Sequence, residues 1–182
     1  STQYRVLEAS EHHVQLQLVL AWTEYMGGQP DCARVLLFDL NKNITGMSRS
    51  KRSRIWMPLI QFHAFVDNEA AIAIGKEALE AYGWKLKEKS SLLSIAKEVM
   101  KTGMLLYRIH DKPFRLSDPL DEEYAELCLL MEHLLFPLLM HDAGALLELY
   151  ARFIRYGLQK GLNGSLAAMI SGYELIIQRL LP

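Results

Sequence analysis

The sequence predicts an all-α fold, an α-solenoid of about eight or nine helices arranged as antiparallel pairs, and three observations predict it. No stretch alternates apolar and polar residues over the length of a strand. Apolar residues recur instead at intervals of three and four, as in Leu16, Val19 and Leu20 or in Ala71, Ile74, Ala78 and Tyr82. Finally, Ala21, Gly28, Ala33 and Leu40 share their spacing with Leu59, Val66, Ala71 and Ala78 at an offset of 38 residues. Small residues at such points let paired helices approach closely, so the pattern is that of a degenerate tetratricopeptide-like repeat. Tyr156, Asn163, Ala168 and Leu175 match it once more.

The elements follow in chain order. A helix over 11–26, with a possible remnant before Ser10, ends at Gly27-Gly28, and Pro30-Asp31 starts a second over 30–42. Helices over 50–66 and 68–83 make the next pair, the latter closed by Gly83. The stripe Leu92, Ile95, Ala96 and Val99 marks a helix over 90–109. Asp118 is a candidate cap and Pro119 a candidate first residue for a helix over 119–136. Leu146, Leu149, Tyr150, Phe153 and Ile154 carry a helix over 142–160, and Asn163-Gly164-Ser165 turns into the last one, over 165–181. The whole chain, 1–182, reads as one helical-repeat domain, expected to be a piece of a larger protein. Its pairs span 11–45, 50–86, 90–141 (the degenerate one) and 142–181.

The balance of 20 Lys+Arg against 21 Asp+Glu excludes a global basic field for nucleic acid. Charge is nevertheless clustered. Lys42–Arg54 carries five basic residues, whereas Ser117–Glu126 carries five acids. A nucleic-acid contact through Arg49, Lys51, Arg52 and Arg54 would need stacking aromatics, and only Trp56 is near, so such a partner is not expected. Cys32 and Cys128 lie among apolar neighbours and read as buried, reduced thiols, which fits a cytoplasmic protein. The longest apolar run, from Leu127 to Met140, is interrupted by Glu132, His133 and Pro137, so no membrane span is expected.

With the helix pairs in register, the chain resembles a known region. From about Glu11 to Leu181 it is similar to the helical-repeat segment that follows the ATPase module in large bacterial signalling proteins. Those are multi-domain sensor histidine kinases and serine/threonine kinase–ATPase regulators. The similarity rests on EYMGGQPDCARVLL, on NEAAIAIGKEALEAYGWKL and on the stretch from LDEEYAELCLLMEHLLFPLLM through SLAAMISGYELII. In the middle phrase it is carried by Ala71, Ile72, Gly75, Ala78, Leu79, Gly83 and Leu86. The resemblance implies an arm between ATPase or kinase and sensor or output domains, acting through protein contacts or a captured ligand. None of the ATPase, kinase or phosphoacceptor motifs of such proteins is present.

Chemistry-bearing patterns are correspondingly sparse. Gly75-Lys76 lacks the upstream glycine and the hydroxyl residue of a phosphate-binding loop. His12-His13 and the group Glu132, His133, His141 and Asp142 lack the spacing that sets two ligands on one helix face. No catalytic residue, metal or cofactor is expected. Trp22, Trp56, Trp84, Phe62, Phe65 and Tyr82, with Met100, Met104, Met131, Met140 and Met169, read chiefly as core and alternatively as the walls of a groove for a small apolar metabolite. The expected partner surface is the concave side made by the first helix of each pair, with Gln17, Glu24, Arg54, Trp56, Gln61, His63, Arg152 and Tyr156 as candidate contacts. The partners are other proteins, among them domains flanking this one, and a homodimer is possible through the face that Gly157 and Gly161 share. An apolar end face left by an excised array would also give some self-association.

Overall fold

Helix caps and turns divide the chain as the punctuation requires. In the computed structural model the described residues are 2–43, 48–87, 90–109, 113, 115–116, 118 and 121–180. The expectations for His110, for Pro119 and for the middle of the basic segment, 44–47, lie outside them. Among the described residues the protein is all-α. Its helices are α1 (Thr2–Met26), α2 (Pro30–Asn43), α3 (Arg49–Val66), α4 (Asn68–Ala81), α5 (Leu92–Ile109), α6 (Glu122–His141), α7 (Ala143–Lys160) and α8 (Gly164–Leu180). The one extended pairing among them is an isolated bridge between Leu116 and Leu162.

Three boundaries differ from the sequence reading. The stretch before Ser10 is continuous with α1. The α6 helix begins at Glu122 because Asp121, not Asp118, caps it: its Oδ1 accepts the Tyr124 N–H at 3.0 Å while Oδ2 accepts from Lys160 Nζ at 2.9 Å. That helix also runs through Pro137 to His141, where a break was expected. The proline ring is buried, so packing on this side offsets the backbone hydrogen bond that it cannot donate.

The helices fall into two compact units, Ser1–Leu59 and Ile60–Pro182. In the first, α1 packs on α2. Ala21 and Ala33, two of the small repeat residues, are fully buried with Val14, Leu37 and Leu40. The turn between them uses Gly28 at φ 81, a backbone conformation that glycine adopts without strain. Cys32, expected to be buried, is exposed on α2, where its thiol lies 3.4 Å from Gln29 Oε1.

In the second unit each helix from α4 to α8 packs on at least one other. Helix α5 packs on α7, α4 packs on α6, and α6 packs on α8, while α7 touches both α6 and α8. The core is Leu79, Tyr124, Leu127, Met131, Leu134, Leu146, Tyr150, Phe153, Leu166 and Tyr173. Two buried hydroxyls are paired: Tyr150 donates to the Met131 carbonyl at 2.9 Å and Tyr124 to that of Gly161 at 3.1 Å. Burial pushes the Tyr173 hydroxyl up to about 12. Ala71 and Ala78 of the second repeat match are buried, but Ala168 and Leu175 of the third are exposed, so that match does not mark a close crossing. At Gly157 a side chain would strike Leu166 and Tyr124, which makes this glycine a point of close approach within the fold.

Candidate functional site

The candidate site is an apolar groove beside α5. A hydrogen-bonded anchor sets the orientation of that helix. Buried Thr102 donates to the Ala151 carbonyl on α7 at 2.8 Å, and Arg155 donates to Thr102 Oγ1 at 2.6 Å and to Glu98. Lys101 reaches the same Glu98 carboxylate at 3.3 Å. Burial raises the Glu98 pKa, but the Arg155 guanidinium and then Lys101 pull it down further, so it stands below the ordinary glutamate range. This polar face is turned to α7, and the opposite side of α5 is therefore turned outward.

That outward side is apolar. Leu92, Leu93, Met100, Met104 and Tyr107 are all exposed, Leu92 at 85% and Met100 at 62%. Between α5 and its neighbours lies a groove of about 670 Å³. Its walls are Leu92, Ile95, Ala96, Val99 and Met100 from α5, Ala143, Gly144 and Leu147 from the start of α7, and Ile177 from α8. None of these side chains carries a polar atom. Gly144 matters here, because a Cβ at that position would stand 2.7 Å from Ile95 Cδ1 and force that side chain to move within the groove. Lys97, Lys101 and Arg108 fall within a narrow sector of the α5 surface beside Leu93 and Met104, given 100° per residue, away from the Ile95 and Val99 side that lines the groove. The only acid on α5, Glu98, is occupied by Arg155 and Lys101.

A smaller hollow of about 170 Å³ lies between α4 and the α6–α7 turn, where Lys76, Lys87, His141 and Asp142 meet apolar neighbours. Two of its polar groups are committed to the fold. Asp142 caps α7 by accepting from the Ala145 N–H at 2.9 Å, and Lys87 pairs with Glu148 of α7. Among the described residues, no three His, Cys, Asp or Glu groups converge as metal ligands. No helix there is long and apolar enough to cross a membrane.

The eight candidate contact residues differ in exposure. Gln17 and Glu24 are half-buried on α1, and Arg54 and Gln61 are exposed on α3. Trp56 and His63 are interior, with exposures of 0% and 7%, so neither offers an open contact surface. Trp56 lies beneath Arg52, 4.9 Å from its ring, and is closed to a stacking base. Within Ile60–Pro182, Arg152 and Tyr156 come together around Trp84. The Arg152 guanidinium sits 5.4 Å over the Trp84 ring and donates to the Lys85 carbonyl at 3.0 Å, while Tyr156 meets Trp84 edge-on at 5.4 Å. Their visible task is to hold the α4–α5 connection against α7.

The aromatic and methionine set divides likewise. Trp56, Phe62, Tyr82, Met131 and Met169 are core, whereas Phe65, Met100, Met104 and Met140 are exposed. Sequence reasoning does not single out the α5 groove, although Leu92, Ile95, Ala96 and Val99 form a legible stripe. The missed signal was a second apolar stripe on the same helix, Leu93, Met100, Met104 and Tyr107, too wide for one buried face. No family model, no curated protein and no solved structure matches the chain.

Proposed function

We propose that the chain is a noncatalytic regulatory module of a bacterial signal-transduction protein, working in the cytoplasm between ATPase or kinase and sensor or output domains by binding protein surfaces. The observation that carries this reading is α5. One side is fixed by a polar anchor, and the other presents a continuous apolar face to water. A contiguous exposed apolar face of this kind is characteristic of interaction sites. The sequence resemblance supplies the signalling context. Titrating the purified chain with the domains that flank it in its parent protein is the test. The reading expects saturable binding and altered parent activity when the module is deleted. If both fail, it is retired.

A second reading has its own observation. The groove's volume falls within the range of small-molecule sites, and its wholly apolar walls suit an uncharged aliphatic or aromatic metabolite. A saturable rise in Tm with such compounds, in the absence of any protein partner, would favour sensing over docking.

A further inference from the structure

We infer that the segment between Trp84 and Glu98 is a hinged strap, latched to α7 by the pair of Lys87 with Glu148, and that releasing the latch opens the α5 groove at its Leu92 end. The inference goes beyond the docking and sensing readings and holds whatever the groove receives.

Both ends of the segment are fixed. At one end Trp84 meets Phe153 at 5.5 Å and Tyr156 at 5.4 Å, with the Arg152 guanidinium over its ring. At the other, Glu98 and Thr102 are bonded to Arg155, and Thr102 also to the Ala151 carbonyl. Between these points the packing is light. No described residue from 85 to 97 is buried, and Thr102 is the buried residue of α5. A stretch without buried apolar anchors opens locally at low cost.

Charge holds it closed. The Glu148 side chain on α7 is 3% exposed, and half-exposed Lys87 is its ion-pair partner. The same ammonium donates to Ser94 Oγ at 2.8 Å, in the first turn of α5. One lysine thus neutralises a buried carboxylate and ties down the start of the helix. Removing its charge strands the carboxylate inside the fold, which costs far more than an intact pair contributes. Lifting the strap admits water to that carboxylate and relieves the cost. Leu92, Ile95 and Ala96, three of the groove's walls, lie on the strap and move with it.

Ala145 offers a reporter, because it is 4% exposed and lies among Leu86, Lys87 and Glu148. The full chain carrying Cys32→Ser and Ala145→Cys has one thiol beneath the strap and a second, Cys128, buried in the core. Maleimide labelling of the native protein, read by peptide mass, is the test. Glu148→Gln and Lys87→Met should each speed labelling at position 145 about tenfold or more while Cys128 stays protected. With Glu148→Gln already in place, Lys87→Met should add less than about threefold, since one interaction cannot be removed twice. Lys87→Arg keeps the charge and should stay within about threefold of the original. Unchanged labelling in both single variants, effects that multiply in the double variant, or Cys128 reacting in step with position 145 would each overturn the inference. Should Ala145→Cys itself unfold the chain, amide hydrogen exchange in Glu148→Gln decides the question. Faster exchange confined to 85–97 supports the latch, and unaltered or uniformly faster exchange sinks it.

Discussion

At Gly75 the fold leaves no room for a methyl group. A Cβ there would lie 3.0 Å from Leu134 Cγ and closer still to Cδ2, at the crossing of α4 and α6 where Leu134 is fully buried. Gly75→Ala is therefore expected to destabilise by about 1–2 kcal/mol, overpacking outweighing the gain in helix propensity. At Gly103, in the middle of α5, a Cβ meets nothing within 4 Å. The same substitution there should stabilise by about 0.5–1 kcal/mol. Urea denaturation of the two variants checks both signs. Gly75 was legible as part of an Ala-rich motif, but the reason for its smallness was not, because Leu134 lies far along the chain. The same blindness put Trp56 and His63 on an imagined contact surface. Periodicity shows that a helix has faces, not which of them meets protein.

Helix α5 depends on ionised Glu98 for its grip on α7. A carboxyl held below its ordinary pKa contributes its full stability above the unfolded value, about 4.3, and loses it as pH falls through the folded one. Glu148 and Asp121 have the same sign: burial raises Glu148 but Lys87 and Ser90 lower it further, and Lys160 with the Tyr124 N–H lowers Asp121. Stability should thus decline on acidification from about pH 5 to about pH 3. Glu98→Gln, less stable at neutral pH, should close its gap with the original chain across that window in pH-dependent melts. Element types were readable from spacing. Ends were not where tertiary partners decide them: Lys160, across the fold, helps select Asp121 as the cap of α6, and Pro137 is carried through by its buried surroundings.

Over the whole molecule, the buried large side chains of α4–α8 are drawn from one unit, Ile60–Pro182. A fragment from Arg49 to Pro182, which keeps α3 intact, should retain helical circular dichroism and melt cooperatively. A broad, noncooperative melt would show that the core needs the residues before it. The all-α class was plain from the sequence; which helices would touch was not, since α5 packs on α7 and α4 on α6. The α5 groove was not, since its floor combines residues of α5, α7 and α8 that no local pattern links.

The two thiols differ in a way that bears on every association experiment. Cys32 faces water on α2, whereas Cys128 is enclosed, with burial raising its pKa and Asn163 Nδ2 3.3 Å from its sulfur. Brief maleimide treatment of the native chain should add a single mass increment, at Cys32, and denaturant should admit a second. Air oxidation can thus couple two chains through Cys32 alone, and a covalent pair on a non-reducing gel would report that bond rather than any affinity. Serine at position 32 removes the ambiguity and leaves the groove untouched.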